Sequence, residues 1–63
     1  MRIKEIREAK GMTAAELAKA VNTTPVSISR YETGKRMPSI FKAAEIAKAL
    51  DVTIDELIGK KAG

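Results

Sequence analysis

The sequence predicts an all-α fold of five helices, and three observations carry that prediction. Apolar residues recur at helical rather than alternating spacing, and no segment reads as a strand. Capping signatures open the segments: Thr13 with Glu16, and Thr53 with Glu56, spell the same capping box. Pro and Gly are sparse, and both prolines stand at segment boundaries, so no linker divides the chain.

Ile3 and Ile6, with Ala9 after them, recur at helical spacing among charged residues, so helix 1 runs to about Lys10. Gly11 ends it as the residue that most readily turns left-handed. Thr13 caps helix 2, Glu16 completes its box, and Met12 and Leu17 occupy the hydrophobic-staple positions. Leu17, Ala18 and Val21 form its inward stripe. Asn22 follows, one of the few non-Gly residues that tolerates a left-handed backbone. Thr24 caps helix 3, and Pro25 sits at its first position, where a missing N–H costs nothing. Helix 3 runs to about Glu32, with Gly34 beyond it. Pro38 and Ser39 open helix 4, whose inward residues are Ala43, Ile46, Ala47 and Leu50. Asp51 repeats the role of Asn22; the Thr53–Glu56 box, stapled by Val52 and Leu57, starts a short helix 5 ending near Gly59.

One pattern is thus written twice. Ala15 to Ile28 and Ala44 to Leu57 share a helix, a polar turn, a Thr and a second helix. Only the first copy leads into Arg30 and a Gly-Lys-Arg loop; the second has Asp55 and Glu56 where the first has Val26 and Ser27. Between Ala44 and Leu57 there are four acids and one Lys. A helix N-terminus so dressed repels phosphate, so the second copy is expected to be architectural.

At 63 residues the chain is one domain (1–63), near the lower limit for folding without staples. With no Cys and no His, disulfides and Cys/His zinc sites are excluded, and a reducing compartment such as the cytoplasm fits. No apolar run approaches the roughly 20 residues that span a bilayer, and no signal-peptide pattern opens the chain. A formal net charge of +4 points to a polyanionic partner. An enzyme is not expected: the sequence has no His, no Cys and no phosphate-cradling Gly-rich loop, offers too little chain to wall off a pocket, and its carboxylates read as capping or surface residues rather than convergent pairs. No catalytic residue, metal or cofactor is assigned.

The wheel of helix 3 turns Ile28 and Tyr31 toward the core and Val26, Ser29, Arg30 and Thr33 away from it. The exposed face offers one long cation, two hydroxyls and an uncovered Val. A turn of about three residues joins helix 2 to helix 3, the length that suits a steep crossing. Such a pair can lay its second helix in a major groove while the first crosses the backbone. Arg30 can then present its fork to guanine, and Val26 can pack on a thymine methyl.

Three runs carry a resemblance: Thr13-Ala-Ala-Glu-Leu-Ala, Ser27-Ile-Ser-Arg-Tyr-Glu-Thr-Gly-Lys-Arg-Met-Pro-Ser, and Ile46-Ala-Lys-Ala-Leu-Asp-Val-Thr-Ile-Asp-Glu-Leu. Together they resemble the Cro / phage-repressor (XRE) helix-turn-helix family, from Ile3 to Ile58. The resemblance implies a lambda-repressor-like five-helix domain with its helix-turn-helix at about 13–33. It implies sequence-specific binding of double-stranded DNA, commonly as a homodimer on a palindromic operator and mostly in repression. By it, Pro25, Val26, Ser27 and Arg30 read bases. Lys35 and Arg36 meet phosphates, with Thr24, Ser29, Thr33 and Ser39 in the same phosphate-facing set. A helix N-terminus and flexible cations both suit that task. The resemblance also pairs Glu32 with Arg7 as a structural tie between helices 1 and 3, the alternative for Arg7 being a DNA contact.

The chain departs from the family pattern at two places. The family very often has Gln at the first position of helix 2, holding a phosphate and bracing the recognition helix; Ala14 does neither. Pro25 and Val26 open helix 3 where polar side chains are frequent, so thymine-methyl packing and DNA shape are expected to carry an unusual share of specificity. Tyr31 reads as core with its hydroxyl at the rim, and one Tyr and one Phe are too few for a single-strand stacking platform. Arg2, Lys4, Lys10, Lys60 and Lys61 read as solvated charges. Ile40, Phe41 and Ile58 suit either the core or a dimer seam. The rival to a DNA reader is a protein-interaction module on the same fold, antitoxin-like or a coregulator, with weak DNA affinity.

Overall fold

A computed structural model describes residues 1–59. Among these the chain forms five helices and no strand: α1 (Ile3–Ala9), α2 (Ala14–Ala20), α3 (Pro25–Thr33), α4 (Ile40–Ala49) and α5 (Ile54–Ile58).

The helix starts follow from the hydroxyl residues that precede them. Thr13 Oγ1 accepts the Glu16 N–H at 3.1 Å while the Thr13 N–H donates to Glu16 Oε1 at 2.9 Å, closing the capping box of α2. Thr53 and Glu56 close the same box on α5, at 3.1 and 3.2 Å. Thr24 and Ser39 each accept one amide at 3.1 Å, from Ser27 and Lys42, so α3 and α4 also start on a side-chain cap. Each such cap is worth about 1 kcal/mol, a large share of the stability available to so short a chain.

The doubled sequence pattern becomes a doubled backbone. Among the described residues Asn22 and Asp51 are the non-Gly residues with positive φ, at 54° and 57°. Beside Asn22, the Thr23 N–H donates to Ala18 O at 2.9 Å; beside Asp51, the Val52 N–H donates to Ala47 O at 2.9 Å. Both are Schellman closures, in which a left-handed residue folds the chain back onto the helix it has just left.

Each helix sends one Ile or Leu into the centre: Ile3, Leu17, Ile28, Ile46 and Leu57 have no solvent exposure. Val21, Tyr31, Leu50, Ala18 and Ala47 fill the space between them. Burying one such aliphatic side chain stabilises by about 1.5–3 kcal/mol, and with no Cys in the sequence no disulfide shares the task. The Arg2 N–H donates to Leu57 O at 2.8 Å, tying the start of the chain to α5.

Ile40 and Phe41 are 73% and 80% exposed, and Ile58 is exposed as well, so none of the three belongs to the core. Phe41 lies about 200° around the α4 wheel from buried Ala43, on the outer face. Ile40 shares the azimuth of Ala47 but stands in the first turn, past the end of the packed stripe. Ile58 follows buried Leu57 on α5 and turns outward.

Candidate nucleic-acid interface

The α2 helix ends at Val21, and the chain enters α3 at Pro25 after the left-handed Asn22. Ile28 and Tyr31 anchor α3 against the core, and this leaves its opposite face in solvent. Val26 is 59% exposed, and Pro25, Ser29, Arg30 and Thr33 are exposed beside it. Ser27 is half-buried, with its hydroxyl receiving a hydrogen bond from Thr24 Oγ1 at 3.2 Å. Thr33 donates its hydroxyl proton to the carbonyls of Ser29 and Arg30 at 3.1 and 3.3 Å. Its oxygen can therefore accept from a ligand, but its donor is already engaged within the helix.

Beyond α3, Gly34 takes a left-handed φ of 79°, which turns the chain into the exposed Lys35–Arg36 loop. The Arg36 N–H donates to Arg30 O at 3.3 Å, holding the loop backbone against the end of α3. Ser39 then caps α4. Thus Arg30, Lys35 and Arg36 follow one another on and just after one helix, and among the described residues none of them is paired with a carboxylate. The acid of α3, Glu32, is turned inward: its Oε2 accepts from Arg7 Nε at 2.9 Å, with both side chains only 11% exposed. Arg7 Nη1 also donates to Met12 O at 3.0 Å, so one guanidinium joins α1, the α1–α2 turn and α3. That contact engages Arg7 in the interior of the fold.

The corresponding place in the second copy is different. Asp55 and Glu56 stand in the first turn of α5, with Glu56 committed to its capping box. Glu16, in the matching box of α2, is held below the usual carboxylate range, first by the Thr13 backbone N–H and then by its hydroxyl. Lys60 and Lys61 lie outside the described residues.

Two features escaped the reading of the sequence. Met37 is an exposed apolar side chain in the loop before α4. Lys42 reaches out of α4 to the end of α2, its Nζ 2.6 Å from Val21 O. A cation in the first turn of a helix is placed against the dipole, and that mismatch is the one local signal that Lys42 has business elsewhere.

The fold and this face define a helix-turn-helix domain in which α3 presents one cation and several hydroxyls, two more cations follow it, and its own carboxylate is turned inward. The helix-turn-helix family model matches residues 3–57, and the chain belongs to that family, of the Cro and phage-repressor type. The chain is 36% identical over 95% of its length to the cryptic phage CTXphi transcriptional repressor RstR of Vibrio cholerae. It is 33% identical over 90% of its length to the HTH-type transcriptional activator BcrR of Enterococcus faecalis. It is also 41% identical over 89% of its length to an uncharacterized HTH-type transcriptional regulator of Archaeoglobus fulgidus. The chain spans 57% of the phage repressor, 28% of the activator and 80% of the third regulator.

Proposed function

We propose that this domain binds double-stranded DNA in a sequence-specific way, as part of a transcriptional regulator, with α3 laid in the major groove. The observation that carries the reading is the exposed α3 face, with Arg30 on it, Lys35 and Arg36 after it, and Glu32 turned into the interior by Arg7. Arg30 offers a planar fork for a guanine edge, and Val26 offers methyl groups for thymine. Pro25 and Ser27, in the first turn, come within reach of bases when the helix enters by its N-terminus. Lys35 and Arg36 neutralise phosphates, and the Ser29 and Ser39 hydroxyls can donate to them as they stand, whereas Thr24 and Thr33 must first release the protons they give to Ser27 Oγ and to the Ser29 and Arg30 carbonyls.

Repression is the regulatory sense we favour, supported by the similarity to a phage repressor. In this reading the protein works in the cytoplasm as a homodimer on a palindromic operator. Exposed Ile40, Phe41 and Ile58 support an apolar contact between copies, because large side chains left in water favour burial against a partner. No helix among the described residues is long and apolar enough to cross a membrane.

The test is the salt dependence of duplex binding. Neutralising several phosphates releases counterions, so affinity falls by orders of magnitude between about 50 and 200 mM salt. Undetectable binding to any duplex, even at low salt, would favour a protein-interaction module on the same fold.

A further inference from the structure

We infer that Lys42 is a positioning residue for the recognition helix, rather than one more cation aimed at phosphate. The inference rests on the DNA-binding reading above and adds to it the device that fixes α3 relative to α4.

Lys42 is the third residue of α4, and Ser39 Oγ accepts its amide proton at 3.1 Å. Its ammonium does not extend from that helix end into solvent. It folds back across 21 residues of sequence to donate to Val21 O at 2.6 Å, and a second contact reaches Glu45 Oε1 at 3.4 Å. The side chain is only 24% exposed.

Each partner explains the choice of a cation. Val21 is the C-terminal cap of α2, where carbonyls run out of intrahelical donors and the dipole favours positive charge. Three other carbonyls of that helix end are already served: Leu17 O accepts the Val21 N–H, Ala18 O the Thr23 N–H, and Lys19 O the Asn22 N–H. Glu45 balances the ammonium on its other side. With one donor given to Val21 O and Glu45 Oε1 drawing the ammonium from 3.4 Å, it has limited capacity left for a phosphate oxygen.

The consequence is geometric. Val21 is the first residue of the turn whose last residue, Thr24, caps α3. A charge-assisted hydrogen bond from the first turn of α4 therefore grips the turn that sets the angle of α3. It joins the two helix N-termini assigned to DNA, that of α3 after Thr24 and that of α4 after Ser39, into one rigid unit. Base contacts by Arg30 and phosphate contacts near Ser39 then hold a fixed spacing.

The experiment uses Lys42→Met and Lys42→Arg in the full chain, measured far below the melting temperature. Duplex titrations compare a selected site, a one-base-pair mismatch and several salt concentrations. A positioning role predicts that Lys42→Met loses about tenfold in affinity for the selected site and part of its discrimination, with an unchanged salt slope. Lys42→Arg, which can still donate to Val21 O, restores both. A salt slope reduced by about one would instead make Lys42 a phosphate ligand and overturn the inference. So would unchanged affinity and discrimination in Lys42→Met. Residual dipolar couplings of the free proteins supply a readout independent of DNA: α3 should reorient relative to α4 in Lys42→Met, and an unchanged angle contradicts the inference. If the native chain binds no duplex while α3 still reorients, the DNA reading fails and the positioning contact stands.

Discussion

Arg7 and Glu32, 25 residues apart, meet at 2.9 Å with both side chains almost wholly enclosed, and the same guanidinium holds the carbonyl of Met12. This contact fixes the back of α3 to α1 and withdraws the acid of α3 from its outer face. One pair therefore both ties α1 to α3 and leaves Arg30 as the ionised side chain on the outer face of α3.

Removing one partner of an enclosed pair leaves an uncompensated charge, so Glu32→Ala should cost about 3 kcal/mol by urea unfolding. A double replacement, Arg7→Met with Glu32→Leu, should recover much of that loss because no buried charge then remains. A loss below about 0.5 kcal/mol in Glu32→Ala would mean that the pair behaves like an exposed one.

The left-handed turns make a sharper test of the backbone. Asn22 and Asp51 sit at φ values of 54° and 57°, where a Cβ is costly and glycine is not. Asn22→Ala should destabilise by about 1 kcal/mol, while Asn22→Gly should be nearly neutral, and Asp51 should behave alike. Thermal unfolding of the four variants checks this; an Ala variant as stable as its Gly counterpart would contradict it.

Glu16 gives the fold a definite response to acid. Its carboxyl is held below the usual range by the Thr13 amide and hydroxyl, so the folded state favours the charged form. That contribution is complete above the ordinary carboxylate value and is lost as pH falls through the depressed one. The stability gap between the native chain and Glu16→Gln should therefore narrow on acidification below about pH 4. Parallel curves for the two proteins would show that the box does not act through the charge.

On the outer face of α3, Arg30→Ala should cost about 1–3 kcal/mol and relax preference at a single base pair. Lys35→Ala and Arg36→Ala should weaken binding to all sequences alike and each lower the salt slope by about one. A competition assay against single-site substitutions separates these outcomes; unchanged preference in Arg30→Ala would show that another residue reads that base.

Much of the architecture is legible because local chemistry decides it. The Thr–Glu boxes, Pro25, Asn22, Asp51 and Gly34 each act within a few residues, and their effects are written in the order of the chain. What is illegible is what depends on where helices stop touching. Ile40 shares its azimuth with buried Ala47, and only the docked structure shows that the first turn of α4 lies beyond the packing. Lys42 is similar, since no spacing rule joins it to a carbonyl 21 residues away. The Arg7–Glu32 contact is equally remote in sequence, and resemblance to a family rather than periodicity points to it. The outward face of α3 follows from its wheel, but the use of the Thr33 proton within its own helix does not.

Two helix pairs written on one sequence pattern are proposed to divide the work, the first facing DNA and the second only completing the fold. The most direct measurement converts the first into the second by Val26→Asp with Ser27→Glu, followed by unfolding and duplex titration of the same protein. Acids in the first turn of α3 complement its dipole, and the carboxylate introduced at position 27 can accept the Thr24 N–H as Glu16 and Glu56 do in their boxes. Stability should therefore hold or rise by about 0.5–1 kcal/mol. Affinity for DNA should fall about 100-fold or more, since the new charges meet phosphates. A variant that stays folded and binds its duplex as tightly as the native chain would contradict the assignment of this face.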